Sequence, residues 1–476
     1  YMREIIEEAI NYGVSLGANF VDIRIQSRSV TSILVKNDLV EKFTSGIESG
    51  AGIRVLINGA WGFASASKIS KESLKEAVKN AVKMAKGAAN FVKMPVRLAE
   101  VEIKEDTITL KVKVDPRDIS PEEKINDLLN LSTRILKYDE RVKSTEIDYA
   151  DIWVDQYYAS SEGAYIKQEK VYVWSRILGS AKQNGIMASA RHELGSTEGY
   201  VIWKKEPIEE VAEFLGKRLV DQLGASPPKG GIWPAVLGPE VVGVFTHEAF
   251  GHLGEADLTF SGAVTIQKLG QKIASDIVTI VDDGSISGAF GSFAYDDEGV
   301  PSQRTILVKD GILIGLMYNR EYAAKFEDIL RARAPQLLEI FNTKPTGNAR
   351  AESFRVMPII RMRNTFIEPR DYGFEELLEG IKFGYYFKAF RGGQANLDGT
   401  FQVGIQDAYG IVNGEITKPV RNVSISGNTL DTLMEVDAVG KDFELHPGRC
   451  GKGQTAYVSD GGPHIRVKKI TVGGEV

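Results

Sequence analysis

The sequence predicts an α+β protein: an N-terminal domain of helices and antiparallel strands, followed by a β-rich C-terminal domain. Three observations lead there. Some segments carry apolar residues at helical spacing, and others alternate with period two. The 48 glycines in 476 residues exceed average usage and mark many turns.

The elements follow in chain order. Ile5, Ile6, Ala9, Ile10 and Val14 place apolar groups at helical spacing over residues 3–16. Val21, Ile23 and Ile25 share one face of a strand over 20–25. Strands at 32–40 and 52–57 come next, separated by Asn37-Asp38 and by the glycine-rich stretch 46–52. Residues 71–88 are rich in Lys, Ala and Glu behind Ser70, which reads as a helix with its N-cap. A similar series recurs: a helix at 121–136, strands around 146–154, 163–174 and 176–183, and a helix at 208–223. We read this as a weak internal duplication of a helix-plus-hairpins unit.

Residues 224–231, Gly-Ala-Ser-Pro-Pro-Lys-Gly-Gly, form the clearest boundary, because two prolines flanked by glycines do not continue a helix. The expected division is a domain at 1–224, a linker at 225–231 and the β-rich domain at 232–476. In that last part Asp283-Gly284, Asp310-Gly311, Asn413-Gly414 and Gly461-Gly462 signal turns. Two helices are expected there, near 241–253 and 375–383.

Composition narrows the function. With 58 basic and 64 acidic residues the net charge is -6, and the basic residues are scattered, so nucleic acid is not an expected partner. No run of eighteen apolar residues exists, which argues against a membrane span. The first residues lack the apolar core of a signal peptide, so a cytoplasmic location is expected. Cys450, the single cysteine, excludes an internal disulfide and favours a reducing compartment.

The sharpest motif is Thr246-His247-Glu248-Ala249-Phe250-Gly251-His252, one residue longer than the H-E-x-x-H of zinc proteases. On a regular helix, residues five apart differ by about 140° around the axis, too far for two imidazoles to share one metal. Gly251 lets the helix bulge or unwind. A distortion around Phe250 and Gly251 that returns His252 toward His247 is therefore expected. Read alone, the motif fits either a zinc site or a chance pairing. A catalytic zinc takes three protein ligands. Cys450, in the glycine-rich stretch 447–453 expected to be a turn, is the candidate third; the alternative is a small buried hydrophobe.

Phe245–His252 followed by Glu255-Ala256-Asp257 resembles the TldD branch of the TldD/PmbA family. So do Asp282-Asp283-Gly284, Tyr295-Asp296-Asp297-Glu298-Gly299, and Met357-Pro358 with Arg361-Met362-Arg363-Asn364-Thr365. Gly392-Gly393-Gln394, Gly448-Arg449-Cys450-Gly451-Lys452 and Gly461-Gly462-Pro463 complete the set. The resemblance spans almost the whole chain and is densest over 234–474. It implies a cytoplasmic zinc metallopeptidase with His247, His252 and Cys450 as ligands, Glu248 as the catalytic base, and one Zn2+ per active chain. It also implies short or unfolded peptides as substrates, and a homodimer or a heterodimer with a metal-free relative. Members were once described as modulators of DNA gyrase, which the charge pattern here does not support.

His446, four residues before Cys450, is a candidate donor to a developing oxyanion. Glu255 and Asp257 are candidates to orient a ligating imidazole from behind. Asp282-Asp283 and Asp296-Asp297 fit either a hard cation or turns. His192 reads as a strand-end residue and His464 as a loop residue. Two competing functions are a non-enzymatic partner subunit and a zinc hydrolase of non-peptide substrates.

Overall fold

Long antiparallel strands organise the first half of the chain. They are seen in a computed structural model that describes residues 1–474; residues 475 and 476, the end of the expected domain 232–476, lie outside the described residues. The strands are β1 (Phe20–Lys36), β2 (Leu39–Ile57), β3 (Ala60–Ala66), β4 (Glu105–Ile108), β5 (Val142–Ser160), β6 (Tyr165–Gln183) and β7 (Ile186–Ser196). They form one sheet in the order β3-β2-β1-β5-β6-β4, with β7 also on β6. Only β4 runs parallel to its neighbour.

Segments read as separate strands are therefore continuous. The Asn37-Asp38 turn is present, with φ of 48° and 64°, the left-handed backbone of a two-residue hairpin. The glycines at 50 and 52 do not turn the chain. A Cβ at Gly50 would lie 2.2 Å from the Phe354 ring, and one at Gly52 would lie 2.4 Å from the Phe354 carbonyl oxygen. They are flat places where a C-terminal loop closes onto the sheet.

The amphipathic helices form as their spacing dictates: Met2–Ser15, Lys71–Ala89, Pro121–Leu136 and Ile208–Leu223. Ser70 Oγ accepts the Ser73 N–H at 3.1 Å, satisfying one orphan donor. The first two helices pack against β1 and β2, with Leu74, Val78, Ile53 and Val55 in one core. The other two cover the second unit, with Leu128, Leu131, Leu215 and Leu219 in another. The first half is thus helix, three antiparallel strands and helix, twice over, joined where β1 pairs antiparallel with β5.

In the second half, strands 280–283, 364–367, 455–462 and 444–451 are neighbours in one sheet. Strands 383–395, 231–237, 465–474 and 423–428 are consecutive in another. The helix Pro239–Val244 packs against both, through strands Thr455–Gly462 and Phe383–Ala395. Asp310-Gly311 and Asn413-Gly414 are tight turns with positive φ. Gly461-Gly462 instead ends the strand Thr455–Gly462. The helix expected near 375–383 is only Phe374–Leu378, because Gly380 takes φ 79° and Phe383 begins a strand. Sequence reading missed the helix Arg320–Arg333, whose N-cap Asn319 accepts the Tyr322 N–H. The two halves meet where Tyr172 stacks on Tyr457 at 4.7 Å between ring centroids. Among the described residues, no helix is long and apolar enough to cross a membrane.

Candidate metal centre

The motif helix changes its winding at the histidines. After Pro239–Val244 the chain continues as a π turn over Phe245–Phe250 and a 3-10 turn over Gly251–Gly254. The Gly251 N–H reaches the Thr246 carbonyl, five residues back. An i→i+5 bond brings residues five apart onto one face, which is what H-E-x-x-x-H requires. The distortion is present, centred slightly earlier than Phe250-Gly251. Gly251 has a packing role too: a Cβ there would lie 2.2 Å from Met362 Sδ. Thr429 Oγ1 donates to the Ala249 carbonyl at 2.8 Å and satisfies the altered turn.

The His247 and His252 rings lie 5.3 Å apart between centroids, at 86°. Cys450 comes from the strand Glu444–Gly451, so the expected turn at 447–453 is mostly extended backbone paired with Thr455–Gly462. Its Sγ is 3.5 Å from His252 Nε2. Donor atoms of His247, His252 and Cys450 all lie within 4.8 Å of one another. The edges of a tetrahedron built on zinc–nitrogen and zinc–sulfur bonds are roughly 3.3–3.8 Å, so small side-chain movements close the gap. The donor set suits zinc chemically, being two imidazoles and a thiolate.

Glu248 is 37% exposed, with its oxygens 3.9 Å from His247 Nε2 and 3.8 Å from His252 Nε2. It faces the two imidazoles without hydrogen bonding either. Glu255 is wholly buried and its carboxylate makes a short contact with His252 Nδ1, which leaves Nε2 for the cysteine side. Asp257 does not touch an imidazole. It holds Lys452 Nζ at 2.7 and 2.8 Å, and Lys452 stands 3.6 Å from Glu255. His446 lies on the strand of Cys450, four residues along on the same face, with Nε2 3.3 Å from Glu444.

Electrostatics bind the three donors together. Burial alone would lower both histidines; the Cys450 charge and hydrogen bond raise His247 to about 9. Glu255 and Cys450 overcome burial to raise His252 to about 10. Burial would raise the Cys450 thiol, yet the two imidazoliums bring it down to about 5. Burial likewise opposes ionisation of Glu255, but His252 and Lys452 hold its carboxyl below the usual range. Asp460 is raised to about 6, by burial first and by Glu248 and Glu240 after it.

A cavity of about 210 Å3 opens on this centre, lined by His247, Glu248, His446 and Cys450 and, from the N-terminal half, by Arg191 and Glu193. Sequence reading took His192-Glu193 in that wall for a strand-end feature and missed Arg191. Trp174 Nε1 donates to Glu193 at 3.0 Å, and the Arg449 guanidinium lies 3.7 Å over the Trp174 ring. It also missed Arg361, which is buried and donates to the Cys450 carbonyl at 2.8 Å. The Arg361-Met362-Arg363 run was the only signal for it.

Other candidates separate from the centre. Asp282 accepts the Arg363 N–H, the Thr365 hydroxyl and the Asn348 amide, and Asp296 accepts three backbone N–H groups; both are buried structural acceptors. Asp297 accepts the Ala351 N–H and the Gln156 amide. His192 lines the same cavity as the centre but contacts Glu206 at 2.8 Å, and His464 contacts Asp442 and Tyr386.

Known proteins bear on this arrangement. Models of the PmbA/TldA metallopeptidase match in three parts: domain 1 over residues 21–85, the central domain over 114–223 and the C-terminal domain over 230–474. A metalloprotease of Methanothermobacter thermautotrophicus is 38% identical over 458 residues, 96% of this chain and 95% of its own. The zinc metalloprotease TldD homolog of Saccharolobus solfataricus is 38% identical over 466 residues, covering 97% and 98%. The crystal structure of TldE from Thermococcus kodakarensis shares the fold, with a TM-score of 0.77 at 19% identity over 99% of this chain and all of that one. By these matches along nearly its whole length, the chain belongs to the PmbA/TldD family of metallopeptidases.

Proposed function

We propose that the chain is a zinc-dependent peptidase acting on short or unfolded peptides, with His247, His252 and Cys450 as zinc ligands and Glu248 as general base. The observation that supports this best is the convergence of the three donors beside Glu248, brought about by the π turn. When bound, zinc polarises a carbonyl and acidifies water. Glu248, partly exposed in the cavity, accepts the proton of the attacking water and passes it to the departing amine nitrogen. Glu255 fixes the His252 tautomer by accepting Nδ1–H. Arg361 fixes the Cys450 backbone through its carbonyl. His446, on the same wall, donates to the developing oxyanion. The cavity stays in contact with solvent beside strand backbone, which suits an extended, unfolded chain better than a folded surface.

The test is metal analysis paired with peptide hydrolysis. The purified chain should carry one zinc, lose activity with a chelator and regain it with zinc. Cys450→Ser should lose most of the metal. A chain without zinc under chelator-free purification, or a Cys450→Ser variant that retains metal and activity, defeats the reading.

A further inference from the structure

The two halves enclose a second cavity, of about 180 Å3, beside the metal centre. Arg449 and its register partner Tyr457 line it, while Cys450 points to the metal centre. Five cations stand on its walls: Arg28 and Lys170 from the N-terminal half, and Arg350, Arg361 and Arg449 from the C-terminal half. Against them the lining holds two carboxylates, Asp297 and Glu352.

Charge in this cavity is poorly matched. Arg28 reaches Glu48 at 2.5 Å, and Lys170 stands 3.6 Å from Asp297. Arg350 is buried and donates to the Met362 and Tyr457 carbonyls, each at 2.7 Å, rather than to a carboxylate. Arg361 likewise bonds the carbonyls of Gln454 and Cys450. Three cations crowd one ring: Arg363, Lys170 and Arg350 lie 3.4, 4.6 and 5.1 Å from the Phe293 centroid. Burial holds the Arg350 guanidinium below its ordinary value, and the Arg361 charge adds to this, despite Asp297 and Asp282. Buried cations without an anionic partner are costly, and an anion in the cavity removes that cost.

We propose that this cavity is a site for free phosphate, held between the two halves by Arg28 and Lys170 on one side and Arg350 and Arg449 on the other. Cations converging from both halves suit a multivalent oxyanion better than a single carboxylate. The walls also offer acceptors. Gln26 Nε2 donates to Gln156, which leaves Gln26 Oε1 buried with no partner among the described residues. Asp297 stands beside Lys170. Acceptors set among cations select an oxyanion that keeps a proton to donate. Near pH 7 inorganic phosphate keeps one and sulfate keeps none, while a phosphomonoester has mostly lost its last, with a pKa of about 6. The site therefore favours free phosphate over both.

Calorimetric titration at constant ionic strength tests this on the chain as purified. Phosphate should bind about 10-fold more tightly than sulfate or glycerol phosphate, the worth of one hydrogen bond to a charged group. It should also raise the melting temperature where added chloride does not. Lys170→Gln and Arg28→Gln should each weaken phosphate binding by about 10-fold. Neither residue lines the metal-centre cavity. Phosphate held at the metal centre would bind both variants as it binds the native chain, which would overturn the proposal. It also falls if the native chain binds no phosphate, or binds it no better than sulfate or glycerol phosphate. Those comparisons decide the matter even where a variant fails to fold.

Discussion

Glu255→Gln tests how the metal centre is held. Glu255 has no exposed surface, and its carboxylate meets His252 Nδ1 on one side and Lys452 at 3.6 Å on the other. Glutamine keeps the shape and can still accept from Nδ1–H, so the ring stays in place. What is lost is the charge. A hydrogen bond to a charged group contributes about 1.5–3 kcal/mol and a neutral one about 0.5–1.5, a difference of about 1–2 kcal/mol. That corresponds to a loss of roughly 5–30-fold in zinc affinity, within reach of the 10–100-fold typical of groups behind a metal-ligating histidine. The fold should survive, because Lys452 keeps Asp257 at 2.7 and 2.8 Å and the Ile360 carbonyl at 3.0 Å. Because Glu255 also holds the proton that zinc must displace from His252, the affinities are compared above about pH 10, where competition with a chromophoric chelator reads the ligand set alone. Unchanged affinity in a correctly folded variant would refute the role given to Glu255.

Three further outcomes are expected. Glu248→Gln should retain zinc while kcat falls by about 10²–10⁴, measured by metal content and steady-state hydrolysis together; joint loss of metal and activity would make Glu248 a ligand. His446→Ala should lower kcat by about 10²-fold at unchanged zinc content, if it donates to the oxyanion. Zinc affinity should rise with pH. Without metal the histidines hold their protons up to about 9 and about 10, while Cys450 releases its own near 5. Zinc needs both imidazoles neutral, so near pH 7 each ion must displace about two protons. Affinity should therefore climb about 100-fold per pH unit there and level off above about 10, as titration calorimetry in buffers of different ionisation heat can show.

Local rules carried part of the fold. The helices at 71–89, 121–136 and 208–223 were legible because spacing and Ser70 agree with the structure. The continuity of β1 and β2 was not, because Gly50 and Gly52 serve a contact with Phe354, some three hundred residues away. Arg320–Arg333 was hidden in a stretch read as strands and turns, although its Asn319 cap was a usable signal. At the centre, the spacing of His247 and His252 demanded a distorted helix, and the π turn supplies it. That Cys450 would meet them followed from ligand chemistry and family resemblance, not from any local pattern. Arg361, Trp174 and Arg191 act through tertiary contacts alone, which no local pattern encodes.

The central claim is that two imidazoles and the thiolate of Cys450 hold zinc. X-ray absorption at the zinc edge tests it directly. The account predicts one sulfur near 2.3 Å and nitrogen or oxygen neighbours near 2.0–2.1 Å, with the sulfur contribution lost in Cys450→Ser. A zinc shell without sulfur in the native chain would contradict it.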